Sequence, residues 1–367
     1  MTIELRDVTF RVGAETHIYE TNLVLKPGGF NILLGTTLSG KTTLMRLMAG
    51  LEKPTTGEIW TKDRNVTGVA VQKRSVAMVY QAFINYPSFS VYDNIASPLK
   101  VAGLSKNAIK EKVHRFADLL KLTPMLNRMP SELSGGQQQR TALARALVKG
   151  TELVLLDEPL ANLDYKLREE LRDDLPKLFA DTGATVVYAT SEPLEALMLG
   201  GHTATLKEGC VVQFGETASI YRKPATLESA EVFSDPPINT AAIEKRGDEA
   251  YLGETVSWKL PEKLTFLPDG NYKIGLRPHH LLPEGQGVEV QGIVQIAEIS
   301  GSDSIIRIDV DDNVWVCETR GIHSYEFGEK ARFVFNAGHC MYFGADNRLI
   351  NIPSSSDQTD ITNSGRL

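Results

Sequence analysis

The chain has 367 residues, with 46 acidic against 39 basic side chains, a net charge of −7, 42% hydrophobic and 23% charged residues. That length predicts about two domains with a sizeable core, which excludes a wholly disordered chain. The acidic balance excludes a chain-wide basic footprint of the kind that holds nucleic acid.

Three cysteines, Cys210, Cys317 and Cys340, stand far apart and form no CxxC pair. Neither a zinc site nor a disulfide framework is expected, and a reducing compartment fits. They read as packing residues. The opening MTIELRDVTF lacks the basic and apolar segments of a signal peptide. No apolar run reaches the roughly 18 residues of a membrane helix. Work at a membrane would be that of a peripheral subunit.

Along the chain, Ile3–Leu5 and Leu23–Leu25 read as strands, and Pro27-Gly28-Gly29 as a turn. Phe30–Leu34 is an apolar run that enters a glycine-containing loop, and a helical pattern follows from Thr42 to about Leu51. Residues 84–150 read as mostly helical, with strong periodicity over 106–122. Leu153–Leu156 and Thr185–Ala189 are continuous apolar runs of the kind buried on both faces of a parallel sheet. The helix expected between them, 165–181, carries Pro176. Strands alternating with helices predict a parallel α/β sheet. The pattern changes near Asp235-Pro236-Pro237. Short β-runs then dominate, at 273–276, 293–299, 305–310, 314–318 and 331–335. They predict a small antiparallel, barrel-like domain. The Ser-, Asp- and Thr-rich tail has the composition of a disordered segment.

Two segments carry recognisable chemistry. Gly35-Thr36-Thr37-Leu38-Ser39-Gly40-Lys41-Thr42, with Thr43 behind it, matches G-x-x-x-x-G-K-[ST] between a strand and a helix. Glycines let backbone N–H groups wrap phosphates, and the helix start adds partial positive charge. Lys41 reaches the β- and γ-phosphates and the Thr42 hydroxyl ligates Mg²⁺. A chance Gly-Lys turn would lack the flanking strand and helix. The second segment, Leu153 to Pro159, ends an apolar strand in Asp157 and Glu158, so both carboxylates fall at the sheet edge where ligands bind. Asp157 would serve the Mg²⁺ shell and Glu158 would polarise an attacking water. Read alone, the two acids could equally start the next helix.

Between these segments stands Leu133-Ser134-Gly135-Gly136-Gln137, followed by Gln138-Gln139-Arg140. With this pentapeptide the chain resembles the ATP-binding cassette (ABC) ATPases, whose signature is LSGGQ. The resemblance implies an α/β P-loop NTPase cassette over 1–234, with a helical subdomain at about 84–150. It implies an all-β, OB-like transport-associated domain over 235–352, leaving 353–367 as a tail. Ser134, Gly135, Gly136 and Gln137 are implied to bind the γ-phosphate of ATP held by a second subunit, in a head-to-tail dimer with two nucleotides at the interface. Gln81 matches the glutamine that contacts Mg²⁺ and the attacking water. Asn162-Leu163-Asp164 matches a loop in which Asp164 crosses the dimer interface. The segment from Tyr86-Pro87 to Ile95 resembles the border of the groove that receives a permease. Leu51–Ile59, Ile220–Ala225 and Gly275–Leu281 narrow the resemblance to carbohydrate-importer ATPases of the maltose and glycerol-3-phosphate type. Polyamine, iron and sulfate importers share this architecture. The resemblance therefore implies ATP and Mg²⁺ as cofactors, two permease subunits, a solute-binding protein reached through them, and a peripheral place on the cytoplasmic face of a bacterial inner membrane. No nucleic-acid partner is implied.

Three positions depart from that family pattern. The switch histidine is replaced by Ser191, in Ala189-Thr190-Ser191-Glu192-Pro193. Serine is shorter and carries no positive charge. Leu38 takes the place of the inner glycine of the phosphate loop, which requires an ordinary negative φ if the leucine is to fit easily. The adenine-stacking aromatic falls on Val12, leaving Phe10, His17 and Tyr19 as alternatives. All three departures touch this chain's own nucleotide and none touches the signature. They favour a heterodimer in which this chain completes the site of a histidine-bearing partner. A homodimer that tolerates Ser191 is the competing reading. A weakly hydrolysing regulator is a third, and an ABC ATPase acting on DNA or ribosomes would carry coiled-coil inserts or a second cassette.

Overall fold

The computed structural model describes residues 1–350 other than 83, 162 and 181. The composition-based tail 353–367 and Asn162 lie outside the described residues. The chain divides into two compact units, Met1–Arg222 and Lys223 onward.

In the first unit, β1 (Ile3–Val12) and β2 (Glu15–Val24) form a hairpin that is joined by β4 (Thr56–Thr61) and β5 (Arg64–Asn65) into an antiparallel sheet, order β2-β1-β4-β5. The central sheet contains β3 (Phe30–Leu34), β6 (Val76–Val79), β7 (Leu153–Asp157), β8 (Thr185–Thr190), β9 (His202–Lys207) and β10 (Cys210–Glu216). Its order is β10-β9-β3-β8-β7-β6, parallel except for β10 against β9. Burial explains the apolar runs: every residue of β7 and β8 is buried, as sheets covered on both faces require. The first helix, α1 (Lys41–Ala49), buries Leu44, Met45, Leu47 and Met48. Residues 84–150 supply α2 (Val91–Val101), α3 (Lys106–Leu119) and α4 (Gly135–Leu147), with α2 packed on both α3 and α4. After β7 comes α5 (Tyr165–Ala180), with Pro176 inside it; α6 (Pro193–Leu199) follows β8 and α7 (Thr217–Arg222) follows β10.

The second unit begins earlier than the composition change at Asp235. Its α8 (Leu227–Val232) packs Leu227 and Ala230 with Ile238 and Phe343. The Leu227 N–H donates to the Asn347 carbonyl, and the Leu349 N–H to the Ala225 carbonyl. A short amphipathic helix looks like more of the preceding α/β region, and only these long-range contacts assign it. Two five-stranded antiparallel sheets then enclose one core that includes Trp258, Ile306, Trp315, Phe333 and Phe335, the expected barrel-like arrangement. Two turns, Pro278–His280 and Ala337–His339, bring three imidazoles together: His280 stacks on His339 at 4.2 Å and meets His279 edge-on at 4.3 Å. Burial, then the neighbouring His279, His339 and Arg277, push His280 down to about 4. Cys317 and Cys340 are pushed up to about 12 by burial, the behaviour of packing thiols.

Candidate functional site

The carboxyl ends of β3, β8 and β7 are adjacent, and the ligand edge of an open parallel sheet lies there. The loop from Gly35 to Gly40 leaves β3 and starts α1. Gly35 is confined: a Cβ would lie 2.5 Å from both the Leu206 carbonyl oxygen and Ser39 Oγ. Its N–H donates to the Thr190 carbonyl at 3.3 Å, and Ser39 N–H donates to the Thr36 carbonyl at 3.1 Å. Gly40 has φ +101°. Leu38 has φ +68° and its side chain is 95% exposed. The negative φ that would accommodate a leucine easily is not adopted. The loop keeps its left-handed turn and the leucine bears a cost of about 1–2 kcal/mol, while its side chain avoids clashes by pointing into solvent.

Lys41 is buried. Its Nζ donates to the Gly35 carbonyl at 2.8 Å and the Thr36 carbonyl at 3.0 Å, and lies 3.3 Å from Glu158 Oε1. Thr42 Oγ1 donates to Asp157 Oδ1 at 3.1 Å. Burial raises the Asp157 carboxyl, opposed by the Thr42 hydrogen bond. Glu158 also has a left-handed backbone, φ +44°, held by its N–H donating to the Ala189 carbonyl at 3.0 Å. Such strained positions persist only where surroundings over-determine them, and they concentrate at functional sites. Gln81 Nε2 donates to Glu158 Oε2 at 3.0 Å. Five residues, from the start of α1, the segment after β6 and the carboxyl end of β7, thus meet at one point: Lys41, Thr42, Gln81, Asp157 and Glu158.

That point opens into a cleft of about 540 Å³. Thr37, Leu38, Gly40, Thr42 and Thr43 line one side, and Gln81 and Glu158 another. His17 and Tyr19 of β2 line a third, with Glu208 and Gly209 of the β9–β10 turn. Of the three alternative aromatics, His17 and Tyr19 reach the cleft, while Phe10 packs edge-on against His17 at 6.3 Å.

The signature is built locally. Ser134 caps α4 and accepts from Gln137 N–H at 3.4 Å, while Gln137 Oε1 accepts from Ser134 N–H at 3.0 Å. Gly135 and Gly136 open the helix with no side chain in the way, which gives the helix start an anion-facing surface. Among the described residues, neither these four nor Asp164 nor Ser191 lines the Lys41 cleft. Asp164 is exposed before α5, its carbonyl accepting from Arg168 N–H at 2.9 Å. Ser191 is exposed at the end of β8. Sequence reasoning missed what surrounds it. Glu195 accepts from the Thr190 and Tyr188 hydroxyls, and Glu192 pairs with Arg168. The available signal was the acid three residues after Glu192, a spacing from which a first-turn carboxylate reaches back.

A second cleft, about 510 Å³, lies beside the Gln81 segment. Tyr80, Ile84, Tyr86 and Val101 line it, and the Arg145 guanidinium sits 4.8 Å over the Tyr86 ring. Among the described residues no helix is long and apolar enough to cross a membrane.

The ABC transporter family model matches residues 18–161, and the TOBE domain model matches residues 274–343. The trehalose/maltose import ATP-binding protein of Thermococcus litoralis is 37% identical over 354 residues, covering 91% of this chain and 95% of that protein. The sn-glycerol-3-phosphate import ATP-binding protein of Pectobacterium atrosepticum is 36% identical, over 83% of this chain and 86% of the relative. Among solved structures, the ATP-binding cassette MJ0796, in a dimeric post-hydrolysis state bound to ADP and Pi, is 29% identical with a TM-score of 0.54, covering 59% of this chain and 98% of that one. On these matches the chain belongs to the ABC transporter ATP-binding subunits, ATPases coupled to transport, with a C-terminal TOBE domain.

Proposed function

We propose that this chain drives the uptake of a sugar, polyol or polyol phosphate, working with two permease subunits and a solute-binding protein, from the cytoplasmic face of the inner membrane. The names of its relatives support the solute class. The observation that carries the chemistry is the convergence of Lys41, Thr42, Gln81, Asp157 and Glu158.

The oxygen donors of Thr42 and Asp157, with Gln81 nearby, suit Mg²⁺, which prefers few protein ligands, water and substrate phosphates. When bound, the ion would neutralise charge on the β- and γ-phosphates. The chain's own residues do the rest. Lys41 exchanges its carbonyl and carboxylate partners for phosphate oxygens. The Glu158 carboxylate, freed from Lys41, accepts a proton from the attacking water. Gln81, two residues beyond β6 and next to Tyr80 of the second cleft, links the state of Glu158 to the surface where a permease would dock. Ser134, Gly135, Gly136, Gln137 and Asp164 lie apart from the cleft, which supports their use on a nucleotide held by another subunit.

Ser191 sets the second part of the proposal. Its hydroxyl cannot supply the positive charge of a histidine, and the loss of one positioned transition-state contact costs about 10²–10³ in rate. Together with Leu38 and Val12 this favours a weakened own site, paired with a second ATPase subunit that carries histidine. A homodimer, a different solute class and a weakly hydrolysing regulator are the alternatives. ATP turnover by the purified chain, beside Glu158→Gln and Ser191→His, tests the reading. Weak turnover that rises at least tenfold in Ser191→His is expected. Rapid turnover by the unaltered chain, abolished by Glu158→Gln, would overturn the weakened-site reading.

A further inference from the structure

We propose that Glu195 is a positioning residue for hydrolysis, acting through Thr190 to fix the backbone of position 191 against Glu158 and the phosphate loop. The inference rests on the reading of position 191 as the site of a missing transition-state contact.

Glu195 lies in the first turn of α6 and is 4% exposed. Two hydroxyls donate to its Oε2, Thr190 Oγ1 at 2.6 Å and Tyr188 OH at 3.1 Å. Burial raises its carboxyl. Burying a carboxylate on neutral donors costs stability that an apolar side chain of similar volume would not. Stability alone is therefore a poor reason for an acid here.

Its geometric effect is specific. The Thr190 hydroxyl has one hydrogen, and Glu195 takes it. The hydroxyl lone pairs are then left for the Glu192 N–H, which donates to Thr190 Oγ1 at 3.0 Å. A carboxylate three residues into a helix often reaches back to the backbone N–H at the helix start. Here it does so by relay, with the Thr190 hydroxyl between. The relay closes the chain around Ser191.

The same strand end holds both halves of the nucleotide chemistry. The Thr190 carbonyl accepts from Gly35 N–H, and the Ala189 carbonyl accepts from Glu158 N–H. On the far side of Ser191, the Glu192 carboxylate pairs with Arg168 at 2.7 Å, and Arg168 also donates to the Ala161 carbonyl at 3.3 Å. Position 191 is thus suspended between two fixed points, both tied to the loops that hold the phosphates and the base. The frame for a switch residue is complete in this chain; what differs is the side chain it presents.

The test uses the full-length chain, in the unaltered and the Ser191→His backgrounds, with Thr190→Val, Thr190→Ser and Glu195→Gln in each. ATP turnover and ATP affinity are measured, together with hydrogen exchange of the peptide spanning residues 189–197 by mass spectrometry. Thr190→Val is expected to lower kcat about tenfold to a hundredfold, the scale of a 1 Å misplacement, with KM within about twofold. Faster exchange at the Glu192 amide should accompany it. Thr190→Ser keeps the hydroxyl and should restore both. Glu195→Gln should fall between. Unchanged kcat and unchanged exchange in Thr190→Val and Glu195→Gln would overturn the inference. A joint loss of kcat, affinity and melting temperature would overturn it in favour of a structural role. If Ser191→His brings no gain but Thr190→Val still lowers turnover of the unaltered chain, the weakened-site reading falls and the positioning role stands. If neither background turns over ATP, a positioning role in hydrolysis is overturned as well.

Discussion

The phosphate-loop edge and the signature edge of the cassette are built on opposite terms. At the first, Leu38, Gly40 and Glu158 all hold left-handed backbones. Distant strands hold this edge: Glu158 is tied to Ala189, Gly40 is crowded by Ile18, and Gly35 at the start of the loop is tied to Thr190 and crowded by Leu206. At the second, Ser134 has φ −64°, and its shape comes from a reciprocal bond with Gln137 three residues away. A locally specified edge tolerates change elsewhere in the chain, whereas a long-range one registers it. Departures at Val12, Leu38 and Ser191 can therefore weaken what this chain does with its own nucleotide and leave intact what it offers to a partner's.

Three substitutions sharpen or break that contrast, in falling order of effect. Lys41→Met removes a buried cation from two carbonyl oxygens and Glu158. Charged hydrogen bonds of this kind are worth about 1.5–3 kcal/mol each, so ATP affinity by calorimetry should fall at least tenfold. An unchanged affinity would mean the loop does not hold phosphate. Ser134→Ala removes a helix cap worth about 1 kcal/mol. Melting should drop by a few degrees while ATP affinity of the isolated chain stays within twofold; a large affinity loss would show that the two edges are not independent. Leu38→Gly relieves the left-handed strain but adds chain entropy to the unfolded state, for a net gain under about 1 kcal/mol. A small rise in melting temperature is expected, and a fall would show that the exposed leucine packs on something that stabilises it.

The same division explains what could be read from the chain alone. Runs such as Leu153–Leu156 and Thr185–Ala189 announce buried parallel strands because both faces need apolar cover. Gly35–Thr42 announces its loop because few sequences meet those backbone demands. Gln81 carries no local mark; its bond to Glu158 spans 77 positions and was legible only through resemblance. The sign of φ at Leu38 carries no mark in the sequence because it is set by the loop's turn and not by leucine's preference. The second compact unit begins ahead of the composition change because α8 is assigned by contacts with Asn347 and Phe343, more than a hundred residues on. The meeting of His279 and His280 with His339, and the hold of Glu195 on Thr190, are tertiary facts of the same sort.

The surroundings of Lys41 also bear on selectivity among the anions of a cell. Its ammonium already has three oxygens within 3.3 Å, two neutral and one charged. An anion approaching it competes with those partners and with the desolvation of a buried site. A lone inorganic phosphate or sulfate replaces them at little net gain. A triphosphate spreads its compensation over the whole loop, the Thr42 hydroxyl and the cleft wall of His17 and Tyr19, so only the larger ligand recovers what the exchange gives up. Any anion that reaches Lys41 therefore meets a competitor already in place, the Glu158 carboxylate of the same chain.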